Sequence, residues 1–152
     1  NIKAIIHRQS KIHAFVEFFD GTLISHMSNP DMRIPISYAI TYPERMYRDN
    51  RGDFSYDNFT FEEIIYDKFP CYRLARKVAE IGKNSGLILN AANEISVEYF
   101  LEDKISYLDI PNIIEDILDS SDVVDHDTLD SIIENDKEIR ELTRNYIKTR
   151  YS

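Results

Sequence analysis

The side chains most apt for catalysis or metal binding in this chain are few: four histidines, one cysteine and a scatter of carboxylates. His13 and His26 fall on two β-rich runs, residues 12–19 and 22–28, joined by Asp20-Gly21. An Asp-Gly pair between such runs is a strong hairpin signal, because both residues tolerate positive φ. Read as a two-residue loop, it sets Phe19 opposite Thr22, Glu17 opposite Ile24, Phe15 opposite His26 and His13 opposite Ser28. Side chains alternate along a strand, so His13, His26 and Glu17 share one mixed face, which could border a ligand, solvent or another subunit. Ile12, Ala14, Val16, Phe18, Leu23, Ser25 and Met27 share the other, the expected core side. Two imidazoles and a carboxylate have the composition of a two-His, one-carboxylate metal site. Glu17 lies two pairs along the ladder from His26, however, and nothing in the sequence would orient the rings. Strand-face histidines without a metal are therefore expected.

Other chemistries find less support. Ser10 precedes His13 by three, but no carboxylate is placed to orient that histidine, and there is no Gly-x-Ser-x-Gly elbow. Cys71 stands at an expected helix start, a position that can lower a thiol pKa. No basic partner is near it in sequence, so it reads as a packing residue. A single cysteine excludes an internal disulfide and a cysteine zinc cluster. Gly21, Gly52, Gly82 and Gly86 form neither a dinucleotide fingerprint nor a phosphate loop. The carboxylates between Asp122 and Asp130 lack the alternate-residue spacing and central glycine of a calcium loop and read as a helix cap.

The elements that must position these residues change character along the chain. Residues 1–50 carry six Lys/Arg against five Asp/Glu, and residues 51–152 carry twelve against twenty-two. So acidic a second half argues against nucleic-acid and anionic-membrane partners. No apolar run reaches the roughly 20 residues that span a bilayer. The first third reads as strands, with Lys3 to His7 ahead of the hairpin. Pro30 and Pro35 break the sheet pattern, and a helix is expected from Pro35 to before Pro43. Residues 47–58 read as a surface linker. From Pro70 the apolar period becomes helical. One helix carries Leu74, Ala75, Val78, Ala79 and Ile81 and stops at Gly82. A second runs over residues 87–101. Ser106 and Asp109 suggest a capping box before Ile110, Ile113, Ile114, Ile117 and Leu118. A short helix opens at Asp127 or Thr128, and Asp136 caps a last one with Ile139, Leu142, Tyr146 and Ile147. Short helices with one apolar stripe each make a small bundle.

Several stretches resemble the 1-deoxy-D-xylulose 5-phosphate reductoisomerase family. His7-Arg8-Gln9-Ser10-Lys11-Ile12-His13 is similar to its His-Pro-Gln-Ser-x-Ile-His stretch. Pro30-Asp31-Met32-Arg33-Ile34-Pro35-Ile36 resembles Pro-Asp-Met-Arg-x-Pro-Ile. Phe69-Pro70-Cys71-Tyr72-Arg73-Leu74-Ala75 resembles Phe-Pro-Cys-x-x-Leu-Ala, and Leu89-Asn90-Ala91-Ala92-Asn93-Glu94 matches Leu-Asn-Ala-Ala-Asn-Glu. Arg8 departs from the family's usual Pro, and Tyr42 stands where Trp usually precedes Pro43.

The resemblance implies an α+β chain, a β-hairpin-containing remnant of an α/β catalytic domain followed by a small C-terminal helical bundle. Residues 1–46 would finish the catalytic and dimerisation domain, 47–68 would be a linker, and 69–152 the helical domain. It implies a reaction using NADPH and a divalent ion, Mg or Mn, with a homodimer as the working form. The family's metal carboxylates, phosphate-binding group and nucleotide motif are expected upstream of Asn1. No catalytic or metal residue is then expected within the chain, which alone should be inactive and bind no cofactor tightly. Ser10 and His13 would border the substrate pocket, and Pro30 and Met32 would lie near the nicotinamide. The expected setting is a bacterial cytoplasm or a plastid-type organelle. The competing readings are a non-enzymatic acidic helical interaction module and a small metal-binding protein built on the His13/His26 face.

Overall fold

The computed structural model describes residues 2–46, 58–125 and 128–151. Most of the expected 47–58 linker lies outside the described residues, as does Asp127. The architecture is mixed α+β: small antiparallel sheets first, then a helical bundle. Contacts divide it into two units, Asn1–Ile64 and Ile65–Ser152.

In the first unit, β1 (Ile5–Ile6) pairs antiparallel with β4 (Glu62–Glu63), and β2 (Ile12–Glu17) with β3 (Leu23–Met27). Residues 58–64, part of the expected 47–68 linker, thus belong to this unit through β4. The hairpin register differs by one from the two-residue-loop expectation. Glu17 opposes Leu23, Val16 opposes Ile24, Phe15 opposes Ser25 and Ala14 opposes His26. Phe18 and Thr22 close the loop (Phe18 N–H to Thr22 O, 2.9 Å), so Phe19, Asp20 and Gly21 form three turn residues. Gly21 takes φ +82°, the left-handed position that a three-residue hairpin gives to glycine. Asp20 Oδ1 accepts from Thr22 N–H at 2.9 Å, which holds its carboxyl below the ordinary value.

A one-residue slip regroups every side chain of one strand against the other. Val16 now pairs with Ile24, and Leu23 with Glu17, so the apolar face expected as the core side does not exist as drawn. Neither face is buried: Val16 is 56% exposed, Phe18 48% and Leu23 61%. No described residue of the first unit is buried. Helix α1 (Arg33–Thr41) starts two residues before Pro35. Asp31 sets that start by accepting from Arg33 N–H at 3.0 Å.

The second unit carries the core. Helix α2 (Pro70–Ile81) has Pro at its first position and ends at Gly82, φ +71°. Helix α3 (Ser85–Leu101) contributes Ile88, Ala91, Ala92, Ile95, Ser96 and Tyr99 to the interior. Helix α4 (Asp109–Ser120) buries the expected stripe of Ile110, Ile113, Ile114, Ile117 and Leu118. From α2 only Leu74 and Val78 are buried; Ala75, Ala79 and Ile81 are exposed. Cys71, read as a packing residue, is also exposed.

The two expected C-terminal helices are one, α5 (Leu129–Arg150). Thr128 caps it, accepting from Ser131 N–H at 3.2 Å. Asp136 caps nothing; its carboxylate accepts from Arg140 Nε at 2.7 Å, one turn on, and that pairing stabilises a continuous helix.

Asn84 joins three parts of this unit. It is 5% exposed. Its amide nitrogen donates to Asp122 O (3.3 Å) and Asn135 Oδ1 (3.1 Å), and its amide oxygen accepts from Val124 N–H at 2.9 Å. Asn84→Ala should destabilise the unit by about 2–3 kcal/mol, since buried groups lose partners they cannot replace with water. A denaturant midpoint indistinguishable from wild type would refute that. The expected Ser106–Asp109 capping box forms only in its back-reaching half, since the residue before α4 is Leu108 and makes no side-chain cap bond. Asp109 Oδ2 accepts from the Ser106 hydroxyl (2.6 Å) and N–H (2.7 Å), and the hydroxyl bond, then the N–H, holds its carboxyl below the ordinary value. A depressed folded-state value gives stability that is present above the unfolded value and lost as pH falls through the folded one. Asp109→Asn should therefore narrow the drop in Tm between about pH 6 and about pH 2, as read by thermal unfolding.

Candidate functional site

The residues expected near a ligand gather around the turn from β1 into β2 and the loop from β3 into α1. Ser10 occupies that first turn with φ +51°, and its N–H donates to His7 O at 3.2 Å. A side chain in this left-handed region costs roughly 1–2 kcal/mol, so something must hold it there. The preceding residues are tied to segment 58–63. His7 Nδ1 donates to Thr60 O at 2.9 Å, and its ring stacks on Phe61 with centroids 4.9 Å apart. Its Nε2 is buried without a partner among the described residues. Gln9 Nε2 donates to Thr60 Oγ1 (3.0 Å) and Asn58 O (3.1 Å), and its Oε1 accepts from Thr60 N–H at 3.3 Å. Arg8 grips Glu62 through Nε and Nη2, with Nη2 to Oε2 at 2.8 Å, which raises its guanidinium above the ordinary value.

His13 sits at a bulge: Ala14 opposes His26 and Ile12 opposes Met27, so β2 carries one extra residue. A bulge re-aims a side chain. Here His13 Nε2 lies 3.1 Å from Ser28 O, and its ring is 5.9 Å from that of His26, tilted 45°. The two imidazoles are thus neighbours, as the mixed face implied, although the pairing beneath them differs. Beside them, Ser28 N–H donates to Lys11 O (3.0 Å), and Lys11 Nζ donates to Asn29 Oδ1 (2.6 Å). Pro30 and Met32 follow on this loop, both exposed. No hydrogen bond or ring contact joins either to His13 among the described residues. Arg33 straddles Asp31 with contacts of 2.9, 3.2 and 2.9 Å, fixing the carboxylate at the start of α1.

This arrangement offers a hydroxyl, an imidazole pair and an apolar rim. Among the described residues no three His, Cys, Asp or Glu side chains lie close enough to hold a metal ion, and Glu17 does not complete the histidine pair. His7, Gln9 and Thr60 were not picked out by sequence as a unit. Partners some fifty positions apart carry no local pattern.

A family model described as the DXP reductoisomerase C-terminal domain matches residues 27–142. The chain belongs to this family. The 1-deoxy-D-xylulose 5-phosphate reductoisomerase of Caldanaerobacter subterraneus subsp. tengcongensis is 42% identical over 151 residues, covering 97% of this chain and 40% of that protein. The 1-deoxy-D-xylulose 5-phosphate reductoisomerase from Zymomonas mobilis in complex with NADPH matches with a TM-score of 0.87 at 32% identity, over 95% of this chain and 39% of that one. A DOX-P reductoisomerase in complex with NADPH, fosmidomycin and magnesium gives 0.81 at 35% identity, over 95% and 38%. The chain therefore spans about two fifths of the length of the curated relatives it matches. In this member of the DXP reductoisomerase C-terminal domain family, contacts among described residues of the first unit hold the Ser10–His13 turn and the 28–32 loop.

With only two imidazoles converging, millimolar Mg or Mn should raise the chain's unfolding temperature no more for wild type than for His26→Ala. A metal-dependent rise abolished by that substitution would establish a site on this face, because a ligand that binds the folded state alone stabilises it.

Proposed function

We propose that this chain is the C-terminal portion of an NADPH- and divalent-metal-dependent reductoisomerase that converts 1-deoxy-D-xylulose 5-phosphate to 2-C-methyl-D-erythritol 4-phosphate. The observation that carries the reading is the match of nearly the whole chain to a reductoisomerase solved with NADPH. Neither cofactor fits these residues by themselves. The described side chains include no metal cluster, and the glycines form no phosphate loop.

What the chain contributes in this reading is placement. Ser10 and His13 border the substrate pocket, where a hydroxyl and an imidazole can hydrogen-bond a polar, multiply hydroxylated ligand. Pro30 and Met32 present an apolar edge to the nicotinamide; a thioether adapts to a flat ring. Residues 1–46 complete the catalytic and dimerisation domain, and residues 69–152 are a bracing helical domain. The working protein is a homodimer that uses Mg or Mn in a bacterial cytoplasm, and the relatives named above are bacterial.

The test is NADPH oxidation by the gene product at the full length of its relatives, with 1-deoxy-D-xylulose 5-phosphate and Mg or Mn. Substrate-dependent oxidation is expected. A folded full-length protein with no turnover would favour a non-enzymatic acidic interaction module instead. Within an active enzyme, His13→Ala should lower kcat/KM by about tenfold or more, the scale of one lost hydrogen bond in a transition state. Cys71→Ala should leave it within about twofold. Equal kinetics for the two variants would remove His13 from the pocket.

A further inference from the structure

The left-handed turn at Ser10 is held by more bonds than a short sheet needs. β1 and β4 pair over two residues only, Ile5 with Glu63 and Ile6 with Glu62. Past that pairing, the side chains of His7, Arg8 and Gln9 all bond to segment 58–63, and Thr60 receives most of the contacts. Its carbonyl takes His7 Nδ1 at 2.9 Å. Its hydroxyl takes Gln9 Nε2 at 3.0 Å, and its N–H reaches Gln9 Oε1 at 3.3 Å. Thr60 Oγ1 also lies 3.2 Å from Gln9 Oε1, so both ends of the Gln9 amide are engaged by one residue. A carbonyl cannot donate, so the His7 ring carries its hydrogen on Nδ1. Asn58, Thr60 and Glu62 alternate along the chain, the spacing that puts them on one side of an extended strand.

We propose that Thr60, acting through Gln9, is a positioning residue that sets the turn presenting Ser10 to the substrate pocket. This rests on the reductoisomerase reading and adds to it a residue remote in sequence from every expected ligand contact. A non-glycine residue at positive φ persists where its surroundings over-determine it, and such positions cluster at ligand sites. Fastening segment 58–63 to β1 would need only the β1–β4 pairing and the Arg8–Glu62 ion pair. The Gln9–Thr60 pairing acts on the residue adjacent to Ser10, and the His7–Thr60 bond acts on the residue whose carbonyl closes the turn.

The experiment compares Thr60→Val, which keeps the shape and removes the hydroxyl, with Thr60→Ser, which keeps the hydroxyl, in the full-length gene product. Thr60→Val should lower kcat/KM for 1-deoxy-D-xylulose 5-phosphate by about tenfold while KM for NADPH stays within about twofold, and Thr60→Ser should restore activity, because small misplacements of binding groups carry large rate costs. Hydrogen exchange at the Ser10 amide gives a readout independent of turnover; it should speed up in Thr60→Val and not in Thr60→Ser. Wild-type kinetics in Thr60→Val, or equal losses in both variants, overturn the proposal. If wild type itself shows no turnover, the reductoisomerase reading fails separately. In that case unchanged exchange at Ser10 in Thr60→Val overturns the positioning claim too, and faster exchange upholds it.

Discussion

The second unit depends on how closely its other helices can approach α3. This helix contacts α2, α4 and α5, and three neighbours around one helix leave little room at the inward positions. The sequence meets that constraint with small residues: Ser85, Ala91, Ala92 and Ser96 are all fully buried. Larger side chains fill the space between them, with Ile88 and Ile95 from α3 and Ile113, Ile114 and Ile117 from α4. Small and large residues alternating across facing positions let helices interdigitate at crystal-like density. The buried hydroxyls cost little, because each finds a backbone carbonyl: Ser96 and Thr143 one turn back in their own helices, Ser85 across to α2. Ser96 donates to Ala92 O at 2.7 Å, Thr143 donates to Ile139 O at 2.7 Å, and Ser85 donates to Val78 O at 3.1 Å.

Polar bonds around this core fix how the helices sit. Arg73 meets Glu115 at 3.1 Å between α2 and α4, and Arg140 bridges Glu94 on α3 and Asp136 on α5, each at 2.7 Å. These pairs are partly exposed, and solvent-exposed ion pairs contribute little energy singly. Their value lies in register. Arg140, steadied by Asp136 on its own helix, reaches across to Glu94 on α3, and Asn90 donates to Glu94 at 2.9 Å. Apolar burial thus supplies the driving force, while directional bonds select one packing from several of similar burial.

Much of this was legible in the sequence where one period dominates. The α4 stripe is the clearest case, because five apolar residues at helical spacing leave no other face to bury. The hairpin was legible as a hairpin, but its register was not. Asp20-Gly21 suits both a two-residue and a three-residue loop, and apolar residues on both sides of the strands leave the alternation without a preferred face. The α5 break was misread because Asn135-Asp136 looks like a helix boundary. In the folded chain Asn135 is spent on Asn84 and Asp136 on Arg140, and both partners are remote or a turn away. At the candidate site the resemblance implies roles for Ser10, His13, Pro30 and Met32, but the support beneath the Ser10 turn joins residues some fifty positions apart. Only the folded chain displays that support.

The two units therefore hold their shape by different physics. The helical unit has a core of its own, with Leu74, Ile88, Ala91, Ala92 and Ile113 all at 0% exposure. The first unit has no buried described residue, and what holds it is strand pairing, the Gln9–Thr60 and His7–Thr60 bonds, and ion pairs. Exposed hydrogen bonds of this kind are each worth about 1 kcal/mol net, and such regions open locally far more easily than cored ones. Its exposed apolar side chains, among them Phe15, Val16, Phe18, Leu23 and Ile24, lie on both faces of one hairpin. Rigidity at Ser10 and His13 then draws on the local clamp that the Gln9–Thr60 and His7–Thr60 bonds place on the turn. The clamp is built into this chain, so the turn can be pre-set before a ligand arrives, and pre-setting lowers the ordering cost that binding would otherwise meet.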